Sequence, residues 1–192
     1  MPRLVQIIYV SHSTFSPQNA ASTIEPSVAR ILAKSRVNNR RDGLVGVLYF
    51  GNGCFFQCLQ GEEEAVDKLY ARIKADPRHK DVKVLSRKTI PALTYAEWAM
   101  KFAPAEKEMP RLLREGGYKT FDPYKFDEAM IARVLGLLSD STDPTSAMKA
   151  EELVNLAAQA PNETRRLPAL LLGGAIFLVI LIAAILFIAK RA

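Results

Sequence analysis

Apolar residues in the first hundred positions switch between a spacing of two and a helical spacing, and the switches mark out the elements. Leu4-Val5-Gln6-Ile7-Ile8-Tyr9-Val10-Ser11 is a β-rich run whose alternation puts Tyr9 on the side of Val5 and Ile7. His12 to Ala21 carries Ser, Pro and Asn and predicts a loop. Ser22, Thr23 and Pro26 then open a helix with Val28, Ile31, Leu32 and Ser35 at helical spacing, ended by Asn38-Asn39. Asp42-Gly43 turns into a strand over Leu44 to Phe50, and Gly51-Asn52-Gly53 is a hairpin turn into the strand between Gly53 and Gly61. Glu62 to Asp76 is amphipathic, with Ala65, Val66, Leu69, Tyr70 and Ile73 on one stripe, and Pro77-Arg78-His79 closes it. Val82 to Leu85, continuing towards Ile90, predicts a fourth strand. Tyr95 to Phe102 predicts a fifth, with Trp98, Met100 and Phe102 on one face.

The order β-α-β-β-α-β-β contains the ferredoxin-like pattern plus one strand, an α+β fold with two helices on one face of the sheet. Cover for the other face is expected from residues 104–160. That segment offers helices around Met109–Glu115, over Tyr124 to Leu138 (with Phe126, Met130, Val134 and Leu137 on one face) and around Ser146–Ala158.

Beyond a short linker, residues 161–166, comes a run of 23 uncharged residues, Leu167 to Ala189. As a helix it would be ~34 Å long, enough to cross a bilayer. Arg165, Arg166, Lys190 and Arg191 flank it on both sides, so the positive-inside rule alone sets no orientation. Translocating the short tail is easier than translocating the preceding domain. The expectation is therefore a single-pass membrane protein with a C-terminal anchor and its folded domain in the cytoplasm. Gly173 and Gly174 would allow a second helix to approach, which keeps a homo-oligomer open.

Charge changes meaning once this run is set apart. The chain has a formal net charge of +6, but four of its 26 basic residues flank the uncharged run. The remaining 22 face 20 acids, which leaves residues 1–164 at about +2 and argues against a nucleic-acid partner. Cys54 and Cys58 share one face of one strand, about 13 Å apart, too far for a disulfide, and no Cys/His set suits a metal.

Three polar residues stand where packing would not choose them. Gln57 lies between Phe55 and Leu59 on an apolar strand face, Tyr9 lies on an apolar strand, and Asn39 terminates the first helix. An amide left unpartnered in a core costs roughly 1–3 kcal/mol, so Gln57 needs groups for both of its ends. A polar core network and a helix cap would satisfy each residue taken alone. A planar heterocycle with carbonyl and ring-nitrogen edges would satisfy them together.

The segments Ile8-Tyr9-Val10-Ser11, Ser35-Arg36-Val37-Asn38-Asn39, Gly46-Val47-Leu48-Tyr49-Phe50, Phe55-Phe56-Gln57-Cys58-Leu59-Gln60-Gly61, Asp76-Pro77-Arg78-His79 and Trp98-Ala99-Met100 closely resemble, in order and spacing, the BLUF family of flavin-based blue-light sensors. The resemblance covers roughly residues 3–103. Gln60 and Val45 depart from residues common in the family, at positions outside the Tyr-Gln-Asn set.

The resemblance implies a flavin-binding domain at 1–103; beyond it, the pattern of apolar positions sets a helical output segment at 104–160, the linker at 161–166 and the membrane helix at 167–189. The resemblance also implies noncovalent FAD, with FMN or riboflavin also able to make the ring contacts. Asn39 would hold the uracil-like edge of the ring, and Gln57 would stand between the ring and Tyr9. Ser35, Asn38, Arg78 and His79 would lie near the flavin. Light would draw an electron and a proton from Tyr9, and their return would leave the Gln57 hydrogen bonds rearranged or the amide tautomerised. The signal would leave through Trp98, Met100 and the C-terminal helices to a protein partner at the membrane, with no substrate turned over. Two other readings stay open on the residues: a light-independent membrane adaptor, and an acylphosphatase-like enzyme using Asn39 with Arg40 or Arg41.

Overall fold

The computed structural model describes residues 2–15, 24–105 and 107–158. Five strands, β1 (Leu4–Ser13), β2 (Val45–Gly51), β3 (Cys54–Glu62), β4 (His79–Thr89) and β5 (Lys101–Phe102), form one sheet in the order β4-β1-β3-β2-β5. The first four pair antiparallel, as the ferredoxin-like pattern requires, and β5 runs parallel to β2, so the sheet is mixed. In the β1–β3 ladder Tyr9 stands directly opposite Gln57, which puts both side chains on one face.

That face is covered by α1 (Pro26–Asp42) and α2 (Glu63–Lys74). Val5, Ile7, Phe55 and Leu59 pack there with Val28 and Leu32 of α1 and Val66 of α2. The opposite face carries Ile8, Val10, Val47, Phe56 and Cys58, closed over by Met109 and Leu113 of α3 (Met109–Glu115) and by Met130, Val134 and Leu138 of α4 (Glu128–Asp140). A sheet buried on both sides explains why the strand from Cys54 to Gln60 is apolar in both registers. Both cysteines are free and buried there, and burial pushes the Cys58 thiol up to about 12.

Several elements depart from expectation. The first helix does not stop at Asn39: it runs on to Asp42, and Gly43 closes it at φ 67°, a left-handed cap that favours glycine. Its described start is Pro26, with the Glu25 carboxylate accepting from the Val28 N–H; Ser22 and Thr23 lie outside the described residues. The expected long fifth strand shrinks to Lys101–Phe102, because residues 91–100 are spent on turns. The strand alternation therefore breaks: Trp98 packs with the second-face core, whereas Met100 and Phe102 pack with the first. Asp127 caps α4 through Met130 N–H, and a 3-10 turn at Pro123–Lys125 replaces the first turn expected there.

The last described helix, α5 (Ala150–Ala158), also falls elsewhere than expected. It packs against α1, with Leu153 buried in the first-face core, and does not cover the second face. The linker at 161–166 and the expected membrane helix at 167–189 lie outside the described residues. Among the described residues, no helix is long and apolar enough to cross a membrane.

Candidate functional site

Between α1 and α2, over the first sheet face, lies a cleft of about 520 Å³. Its apolar walls are Ile31 from α1 and Leu69 and Ile73 from α2, residues of the two amphipathic stripes that do not fully close on the sheet. Tyr9 and Gln57 rise from its floor, and Ser35, Asn38 and Asn39 project from the last turns of α1. The turn Asp76-Pro77-Arg78-His79 forms the end wall. All seven residues expected to bind the cofactor thus line one cleft. Lys34, Arg72, Asp76 and Pro77 complete it and were not predicted as site residues; Lys34 and Arg72 are charged helix residues that read as solvated surface.

Tyr9 is fully buried and its hydroxyl donates to Gln57 Oε1. Gln57 Nε2 donates in turn to Met100 Sδ at 3.4 Å. The amide is thereby oriented, oxygen to the phenol and nitrogen to the thioether, which can only accept. Burial first, and then the charges of Tyr70 and Asp76, push the Tyr9 phenol far above its ordinary range. The ring of Tyr70 meets that of Tyr9 edge-on at 5.7 Å. Such a phenol does not ionise by itself at any physiological pH. Loss of an electron from its ring makes the same proton strongly acidic, so electron and proton leave together, with Gln57 Oε1 the first acceptor in reach.

Asn39 is 1% exposed and donates through Nδ2 to Ala99 O at 2.8 Å. Its Oδ1 is buried without a hydrogen-bond partner. A buried acceptor left unmatched costs roughly 1–3 kcal/mol, and this one lines the cleft, where a donor on a bound ligand would satisfy it. At the far end, the Arg78 guanidinium holds the Asp76 carboxyl down at about 2. Burial lowers His79 to about 4, and its Nδ1 lies 2.8 Å from Ser11 Oγ while its ring packs on Phe55. Of the two residues expected to carry the output, Met100 touches Gln57; Trp98 lies against the opposite core with the Lys101 ammonium 4.2 Å from its ring centroid.

Apolar helix walls, a tyrosine–amide pair on the floor, an unsatisfied amide oxygen and cations at Lys34, Arg72 and Arg78 suit a planar heterocycle carrying an anionic tail. This donor set fits a flavin nucleotide: its uracil-like edge has an N–H for Asn39 Oδ1, and its phosphates would meet Lys34 beside the guanidiniums of Arg72 and Arg78, which are paired to Asp42 and Asp76.

Comparison with known proteins points the same way. The family described as "BLUF: Sensors of blue-light using FAD" matches residues 4–101. The photoactivated adenylate cyclase subunit beta of Euglena gracilis is 34% identical over 98 residues, which are 51% of this chain and 11% of that protein. The chain thus spans about a tenth of the length of this curated relative. Among solved structures, the ground state of BlsA superposes with a TM-score of 0.66 at 26% identity, covering 78% of this chain and 98% of BlsA. A bacterial light-regulated adenylyl cyclase matches with a TM-score of 0.53 at 27% identity, over 74% of this chain and 41% of the cyclase.

Proposed function

This chain belongs to the BLUF family of sensors of blue light using FAD, and on that premise we propose that it is a membrane-tethered photoreceptor whose photoactive pair is Tyr9 and Gln57. The observation that carries the reading is the bonded series Tyr9 Oη, Gln57 Oε1, Gln57 Nε2, Met100 Sδ on the floor of the cleft. FAD supplies light absorption and an electron-accepting ring. Asn39 orients the ring through its unmatched Oδ1, with Ser35 and Asn38 beside it, and Arg78 and His79 border the far end. Tyr9 holds a proton at Oη that burial keeps in place until its ring is oxidised. Gln57 receives that proton at Oε1 and can return it. Rotation or tautomerisation of the amide then changes which of its ends faces Met100.

Met100, bonded to Gln57, carries that change towards the helices of residues 104–160, with Trp98 downstream of it, and a protein partner reads it. The uncharged run Leu167–Ala189 tethers the sensor, with the flavin domain on the cytoplasmic side. Within this chain the output is protein contact and not catalysis. The test is an absorption spectrum of the flavin-loaded chain before and after blue light. A reversible red shift of the flavin band supports the reading; a chain that cannot be loaded with flavin, or whose spectrum is unchanged by light, sinks it.

A further inference from the structure

Arg36 precedes Asn39 by three residues on α1 but lines a different cleft, of about 410 Å³, with Trp98, Met100 and Asp143. Its side chain is only 13% exposed, and four of its donor bonds are made. Nε donates to Met100 O at 3.1 Å, and Nη1 to Thr145 O at 2.7 Å. Nη2 donates to Asp143 Oδ2 and to Thr145 Oγ1, each at 2.8 Å. Asp143, whose side chain is 3% exposed, is equally engaged. Its Oδ2 accepts the Phe102 N–H at 2.9 Å, and its Oδ1 accepts the N–H of Thr145 at 2.8 Å and the Thr145 hydroxyl at 2.7 Å. Asp143 and Thr145 lie between α4 and α5, beyond the residues that the family match covers.

Met100 is therefore held at two points. Its sulfur accepts from Gln57, and its carbonyl accepts from the guanidinium that fixes the approach to α5. We propose that Arg36 and Asp143 are positioning residues of the photoreaction, fixing Met100 against Gln57 in the dark and coupling that position to the docking of α5 on α1. The proposal rests on the reading of Tyr9 and Gln57 given above. A thioether accepts but cannot donate, so an amide turned with its carbonyl towards Sδ loses this contact and releases Met100. The planar guanidinium fork, bonded on several sides to a buried carboxylate and two carbonyls, tolerates little displacement of Met100 O. Movement at Met100 is thus passed to the 143–145 loop, and from there to α5. Coupling of this kind is reciprocal: loosening the ion pair must ease the light-adapted arrangement of Gln57.

The experiment compares the full chain with Asp143→Asn, and follows dark recovery of the red-shifted flavin band. The variant should keep the red shift and recover at least threefold more slowly; an unchanged or faster recovery overturns the proposal. In the flavin-free chain, amide hydrogen exchange across α5 should be faster in Asp143→Asn, and equal exchange also overturns it. Should Asp143→Asn fail to fold, Thr145→Val removes the hydroxyl that bonds both Arg36 and Asp143 and is read in the same two ways. A chain without any red shift sinks the Tyr9–Gln57 reading and this coupling with it. A normal red shift with unaltered recovery in the variant sinks the coupling alone.

Discussion

Tyr9 and Gln57 stand opposite each other in the β1–β3 ladder, and the phenol of one donates to the amide oxygen of the other. Neighbours on both sides hold them: Met100 Sδ takes the other end of the amide, and the Tyr70 ring fixes that of Tyr9. Tyr9→Phe removes the oxidisable hydroxyl of the cleft floor while keeping the ring, and Gln57→Leu removes both amide functions at similar volume. Each variant should still bind flavin and should lose the light-induced red shift, read as a flat light-minus-dark spectrum. Gln57→Leu also strands the Tyr9 hydroxyl in a core, so its thermal unfolding should reveal a loss of roughly 1–3 kcal/mol. A normal photocycle in either variant would refute the assigned roles.

Asn39 makes the second prediction. Its Nδ2 ties the last turns of α1 to Ala99 O, and its Oδ1 is left for a ligand. Asn39→Ala should weaken flavin binding about tenfold, the effect of one hydrogen bond near 1.4 kcal/mol, and a fluorescence titration would read it. Because Ala99 O also loses its donor, the flavin-free variant should itself be less stable. Equal flavin affinity with lowered stability would reduce Asn39 to a structural tie.

The strand part of this site was legible from alternation, whereas Ser35, Asn38, Arg78 and His79 were reached only through the family resemblance. In strands packed on both faces, alternation alone assigns every side chain a side, so Tyr9, Gln57 and the two cysteines fall where their spacing predicts. Helix ends were less legible: Asn38-Asn39 resembles a stop, yet Gly43 supplies the left-handed residue that a cap needs, and the helix runs on to it. The expected strand around Trp98 failed because turns over residues 91–100 break the alternation, so that Trp98 packs with the second-face core and Met100 with the first. Nothing local marks Arg36 or Asp143, whose side chains meet 107 residues apart. Nor does amphipathicity name a helix's partner, which is why α5 was expected on the wrong face.

Acid should loosen the end wall of the cleft. His79 has a folded value of about 4 against an ordinary 6.5, lowered by burial. Above pH 6.5 it is neutral in both states, and its neutral burial is fully compatible with folding. Between 6.5 and 4 the unfolded chain takes up a proton that the folded chain refuses, so stability falls as pH falls. The shift corresponds to a loss on the order of 2–3 kcal/mol across that window. Asp76, held at about 2 against 3.8, adds a further loss only at lower pH. Denaturant midpoints measured from pH 7 to 4 should show this slope, and His79→Gln should flatten it; a slope unaltered in the variant would assign it to other groups.

The uncharged run Leu167–Ala189 makes a prediction independent of light. Fractionated cells should yield the full chain with the membranes, resistant to high salt and alkaline carbonate. A chain cut after Thr164 should move to the soluble fraction and keep its flavin spectrum. Replacing Ile180 and Leu181 near the middle of the run by Arg should release the intact chain too, since each central arginine costs about 2.5–3.5 kcal/mol on insertion scales. Membrane association that survives both changes would mean that another surface is responsible.

Met100 and Trp98 were paired by sequence as output residues, but their surroundings in the fold predict unequal effects. Met100 is 2% exposed and accepts from Gln57 Nε2, whereas Trp98 faces the other core, its ring beside the Lys101 ammonium. Met100→Leu nearly conserves volume and should cost less than about 1.5 kcal/mol of stability. It removes the sulfur acceptor that fixes the amide in the dark, so the red shift should form and then decay several-fold more slowly. Trp98→Phe leaves every contact of Gln57 intact and should recover at the unaltered rate. Flavin absorbance followed after a blue pulse separates the two. If Trp98→Phe altered the decay while Met100→Leu did not, the route out of the cleft would run through the second-face core and not through the carbonyl that Arg36 holds.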